Sequence, residues 1–164
     1  MDRKEKVFAY LSQLGIHYDC YEHPAAPTVE IAKQYWATIP DAQHCKNLFF
    51  RNHKGSRHYL VVFDCDKNLA IHELEQRLKQ GKLTFASEKR MMKYLGLNPG
   101  SVSPFGLIND NENHVHLFLD KQLEKAAKLS FHPNDNTVSL IIKNEDFIRF
   151  IHHCGNSYEF IELY

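Results

Sequence analysis

The 164 residues carry 43% apolar and 24% charged side chains, the composition of one globular domain spanning 1–164. Lys+Arg and Asp+Glu number 20 each, so the formal net charge is zero; this excludes the basic excess of a bulk nucleic-acid or DNA binder while leaving room for a local RNA patch. Four scattered cysteines (Cys20, Cys45, Cys65, Cys154) form no C-x-x-C pair, which argues against a zinc site or redox motif and for a reducing cytoplasm.

The opening "MDRKEKVFAYL" lacks the apolar run of a signal peptide, and no stretch approaches the ~18 apolar residues of a membrane span. Residues 2–14 place Val7, Phe8, Leu11 and Leu14 on one helical face that Gly15 ends. "IHYDCYEH" alternates as a strand, closed by Pro24 and Pro27, and Thr28 is set to cap the helix "VEIAKQY". "KNLFFRN" and "HYLVVFD" read as a hairpin around "HKGS". "AIHELEQRLKQGK" is an amphipathic helix stopped by Gly81, and "LTFA" is a short strand. Ser87 caps the helix "EKRMMKYLG", which ends at Gly96. A Gly-, Pro- and Ser-rich loop covers 97–110, "HVHLFLD" is a strand and "KQLEKAAK" a helix. "KLSFH" and "TVSLIIK" flank the turn "PNDN"; a helix capped by Asn144 and the strand "SYEFIEL" end the chain. Interleaved helices and strands without repeats predict one α/β (α+β) domain around a mixed sheet.

No G-x-S-x-G elbow, P-loop, G-x-G-x-x-G or H-E-x-x-H motif is present. His114 and His116 share a strand face, and His152 and His153 sit at a helix end; both pairs read as solvated histidines rather than metal ligands. Lys46, at the mouth of an apolar strand, is either a snorkelling cation or one held at a pocket floor. The segment "GSVSPFG" is either a plain connector or a loop whose backbone N–H groups hold a carbonyl or oxyanion. His132, between a strand and a proline turn, is either structural or on a pocket rim.

Taken together, "CKNLFFRNHKGSRHYLVV", "ASEKRMMKYLGLNPGSVSPFGLIND" and "SFHPNDNTVSL" resemble the YbaK/ProX-type aminoacyl-tRNA deacylases, free-standing relatives of the prolyl-tRNA synthetase editing domain. The resemblance runs from about Tyr18 to about Ile151 and is nearest to the branch that removes alanine from tRNA(Pro). It implies a mixed, barrel-like sheet flanked by helices. The family's strand lysine falls on Lys46, followed by Asn47, and its G-x-x-x-P loop on Gly100, Ser101, Val102, Ser103 and Pro104. The histidine-proline element falls on His132 and Pro133 with Asn136 in the turn, and His23, Thr28 and Val29 match a segment that walls the pocket. "HPNDNT" departs from the more apolar family turn.

The implied reaction is hydrolysis of an aminoacyl ester on the terminal ribose, helped by the neighbouring ribose hydroxyl and needing no metal or cofactor. Lys46 is then the catalytic residue, as an electrostatic anchor rather than a base, and the 100–104 loop supplies donors to the carbonyl. Val29, Val102 and Phe105 are the expected walls of a size sieve. The partner implied is the tRNA acceptor end, touched by Arg51, Lys54 and Arg57 or by Lys89, Arg90 and Lys93, with prolyl-tRNA synthetase as a further partner to test. The alternatives are a deacylase for Cys-, Ser- or Thr-charged tRNA, and a non-catalytic module that binds aminoacyl-tRNA or a synthetase.

Overall fold

The structure is a computed structural model and describes residues 1–39 and 41–164. Helix α1 (Arg3–Gln13) opens with a capping box: Asp2 accepts from the Glu5 N–H at 2.9 Å, and Glu5 reaches back to the Asp2 N–H. Strand β1 (Tyr18–Glu22) leads to α2 (Val29–Trp36), where the Thr28 hydroxyl accepts from the Ile31 N–H at 3.3 Å. The hairpin of β2 (Gln43–Asn52) and β3 (His58–Asp64) turns through Gly55. Then follow α3 (Ile71–Leu78), β4 (Leu83–Phe85), α4 (Glu88–Leu95), β5 (Val115–Asp120), β6 (Lys128–Phe131), β7 (Val138–Lys143), α5 (Asn144–Cys154) and β8 (Tyr158–Ile161).

Four expectations shift. Helix α3 ends before Gly81, because Lys79 takes the left-handed conformation and closes the helix with its own N–H on Glu75. Residues 121–125 form a 3-10 turn rather than an α-helix, and a second 3-10 turn over 104–109 occupies the predicted loop. Asn144 does not cap α5: its Nδ2 donates at 2.8 Å to the carbonyls of Leu123 and Ala126, at the C-terminal end of the 3-10 turn.

The eight strands make one mixed sheet in the order β1-β7-β6-β2-β3-β5-β8, with β4 paired to β2. Parallel pairing joins β2 to β6, β3 to β5 and β5 to β8, and the other pairs are antiparallel. The mixed sheet and flanking helices are as expected, with β1 and β8 as its two edges rather than a closing pair. Strand β3 is buried on both faces, so its apolar run is continuous. Leu60 and Val62 enter a core shared with α1, α4 and α5, while Tyr59, Val61 and Phe63 enter another shared with α3.

Strand β2 is the junction. One of its edges is occupied by β3 from Cys45 to Arg51. On the other edge β6 pairs with Gln43 and His44, and β4 pairs with Phe50, Arg51 and Asn52. Between them residues 45–48 have no strand neighbour on that edge. A pocket opens at this break in the ladder.

Candidate active site

Cys45, Lys46, Asn47 and Leu48 line that break, opposite Thr28, Val29 and Glu30 of the α2 entry, and the pocket holds about 290 Å³. Trp36, Gly100, Val102 and His132 complete it. The Lys46 ammonium donates to Asn68 Oδ1 at 3.1 Å, and no carboxylate among the described residues stands within ion-pair distance of it. Asn47 keeps its Oδ1 buried and without a hydrogen-bond partner among the described residues. Asn47 itself lines the pocket, and an unpartnered acceptor in a lining residue is a candidate for a ligand donor.

His132 donates from Nδ1 to the Val138 carbonyl at 3.0 Å, a geometry that leaves Nε2 as an acceptor. Burial pushes its pKa down, outweighing the opposing backbone contact, so the ring is neutral at pH 7. The wall beside it is held by a relay. Trp36 Nε1–H donates to Ser139 Oγ at 3.1 Å, the Ser139 hydroxyl donates to His23 Nε2 at 2.9 Å, and His23 Nδ1–H donates to the Pro24 carbonyl at 2.9 Å. His23 also stacks on Tyr35, and Trp36 stacks on His44, whose pKa burial lowers to about 4.

Gly100 has φ +86, and a Cβ there would lie 3.1 Å from Pro27 Cβ and 3.3 Å from Pro27 Cα. The glycine therefore lets the 100–104 loop close against the segment that enters α2. Asn136 Nδ2 donates to the Gly100 carbonyl at 3.3 Å and ties the β6–β7 turn to the loop. The N–H groups of Gly100 and Val102 have no internal acceptor among the described residues. The Ser101 N–H is bound to the Asn98 carbonyl, and Ser103 Oγ accepts from the Phe105 N–H at 3.1 Å.

The geometry thus brings Thr28, Val29, Lys46, Asn47, Gly100, Val102 and His132 to one pocket. His23 and Asn136 stand behind it as supports. Ser101, Ser103 and Pro104 do not line it: the first two build the turn and Pro104 starts the 3-10 segment. Phe105 is not a wall either; it is fully buried in the central core against Phe131 and Phe150.

A family profile described as "Aminoacyl-tRNA editing domain" matches residues 23–150. The chain belongs to that family. The prolyl-tRNA editing protein ProX of Acetoanaerobium sticklandii is 39% identical over 99% of both chains. The prolyl-tRNA synthetase associated domain-containing protein 1 of Xenopus laevis is 30% identical over 94% of each. A solved structure described as a candidate trans-editing enzyme for prolyl tRNA synthetase superposes with a TM-score of 0.72 at 19% identity, covering 99% of this chain and 98% of that one. At that identity it speaks for the editing-domain fold.

In this family member the basic residues sit apart from the pocket. Arg51 is five residues from Lys46 along β2, roughly 17 Å at ~3.3 Å per residue. Its guanidinium donates to the carbonyls of Asn52 and His53. Arg90 donates to the Gly55 carbonyl at 3.0 Å and to His58 Nε2 at 3.2 Å, so both arginines brace the hairpin turn. Lys54, Arg57 and Lys89 are exposed, and the Lys93 ammonium lies over the Tyr94 ring. His114 is not merely solvated, since its Nε2 accepts from His58 Nδ1 at 2.9 Å. Sequence reasoning missed Glu30, Trp36 and Asn68. The helical spacing of Val29, Ala32 and Trp36 already marked that face of α2, whereas nothing local tied Asn68 to Lys46.

Proposed function

We propose that residues 1–164 act as a single trans-editing domain that hydrolyses the ester of mischarged tRNA(Pro), Ala-tRNA(Pro) foremost. The observation that carries this reading is that Lys46, Gly100, Val102 and His132 line one small pocket, the N–H groups of Gly100 and Val102 having no internal acceptor among the described residues. Membership of the editing family and the prolyl-tRNA naming of its relatives support the substrate class.

Lys46, steadied by Asn68, anchors the phosphate or ribose of the terminal adenosine. The Gly100 and Val102 N–H groups face charge that develops on the carbonyl oxygen. Water attacks the carbonyl carbon, the carbon–oxygen bond to the ribose breaks, and the water proton passes to the departing ribose oxygen. The adjacent ribose hydroxyl orients the water, so no side-chain nucleophile is required. His132 Nε2 accepts from a hydroxyl or amine of the aminoacyl-ribose end. Val29, Val102 and Trp36 set the size limit, and proline is spared because its ring exceeds it. Lys54, Arg57 and Lys89 serve the acceptor stem rather than the ester.

The test is deacylation of Ala-, Ser-, Cys- and Pro-tRNA(Pro) by the full chain and by Lys46→Ala. Alanine release should be fastest, proline release at background, and Lys46→Ala should lose at least about a hundredfold in kcat/KM. Unchanged activity in Lys46→Ala would sink the anchor role. Rapid release of proline would sink the sieve.

A further inference from the structure

Among the described residues only two charged side chains line the pocket, Lys46 and Glu30, and they carry opposite signs. They also stay separate. Lys46 is held by Asn68, and no ion pair or hydrogen bond engages Glu30 among the described residues. Lys33, one turn further along α2 and the natural partner for Glu30, is instead bound to Asp66 at 2.7 Å. Glu30 stands at the second position of α2, where the first-turn N–H groups favour a negative charge. The result is an exposed carboxylate on the pocket lip that makes no ion pair or hydrogen bond among the described residues, its neighbour Lys33 being engaged by Asp66.

The aminoacylated terminal nucleotide of a tRNA carries the complementary pair of charges. Its phosphate is negative, its α-ammonium is positive, and the ester lies between them. A pocket holding Lys46 alone would repel that ammonium. We propose that Glu30 recognises the free α-ammonium of the aminoacyl ester, so that the pocket takes unblocked aminoacyl-tRNA and rejects esters whose α-nitrogen is an amide. The inference rests on the deacylase reading above and adds its choice of substrate class. Asn47 Oδ1, buried and open, supplies a neutral acceptor, and Glu30 supplies the charge. An N-acylated or peptidyl ester has no charge at this nitrogen and one N–H rather than three, so it forfeits the contact. A hydrolase built this way removes misplaced amino acids and leaves nascent peptidyl-tRNA intact.

The experiment compares kcat/KM on Ala-tRNA(Pro) and N-acetyl-Ala-tRNA(Pro) for the wild type, Glu30→Gln, Glu30→Asp and Lys46→Ala. Because acetylation also adds bulk, the readout is the change in the ratio of the two substrates. Glu30→Gln should lose about tenfold on the free amine and less than about twofold on the acetylated ester, as for a charge-assisted contact at an exposed site. Glu30→Asp, which keeps the charge on a shorter arm, should fall between. Equal losses on both substrates, or no loss on either, overturn the role of Glu30 while Lys46→Ala still reports on the deacylase. A wild-type protein inert on both substrates overturns the two readings together.

Discussion

Ser139→Ala tests whether one hydroxyl holds the pocket wall. Ser139 is fully buried, and its Oγ links Trp36 at 3.1 Å to His23 at 2.9 Å. Without it the indole N–H is stranded in a side chain only 8% exposed, at a cost of about 1–3 kcal/mol. His23 is half-buried and regains water, so its lost bond adds about 0.5–1 kcal/mol. Together these come to about 1.5–4 kcal/mol. For a chain of this size each kcal/mol moves Tm by about 2–4 °C, so the expected drop is about 3–16 °C. Calorimetry on a double-mutant cycle isolates the link. Trp36→Phe removes the stranded donor, so in the Ser139→Ala background it should cost at least about 1 kcal/mol less than in the wild type. Losses that add to within about 0.5 kcal/mol would refute the relay. Ser139→Ala should also slow alanine release, because Trp36 is a pocket wall.

Gly100→Ala forces a side chain into a left-handed backbone and against Pro27, so it should cost about 1–3 kcal/mol and lower deacylation at least about tenfold. Gly81→Ala is the control: with φ +77 and nothing within 4 Å of its Cβ it meets only backbone strain, and it should lose stability without losing activity. Equal activity in the two variants would remove the loop from the mechanism. Burial lowers the pKa of His44 and of His58 from 6.5 to about 4, so the unfolded chain binds more protons than the folded one between those values. Stability should therefore be intact above pH 6.5 and fall as the pH drops towards 4, with a slope of up to two protons. Urea midpoints that stay level between pH 7.5 and 4.5 would contradict that assignment.

The helical and strand segments were readable because their signals are local. Thr28 and Ser87 cap α2 and α4, and Gly96 ends α4. The failures have local competitors too. Lys79 closed α3 before Gly81 could, and the Asn144 amide went to loop carbonyls rather than to its own helix. Lys46, Asn47, Gly100 and His132 were marked by resemblance, since composition alone left each open between a structural and a functional role. Ser103 and Phe105 misled because a loop motif does not say which side chains turn inward. Glu30 and Asn68 acquire meaning only from what stands across from them in space.

The gap in the ladder along residues 45–48 has a mechanical consequence. One side of the molecule, β1-β7-β6, meets the rest of the sheet through two residue pairs, Gln43 with Leu129 and His44 with Ser130. His132 belongs to the first side, the strand carrying Lys46 spans the seam, and a ligand touching both acts as a rivet across it. Occupancy of the pocket is then felt as stiffness: the two flanks of the sheet are clamped in one relative orientation, and hydrogen exchange along β6 should slow when the seam is bridged.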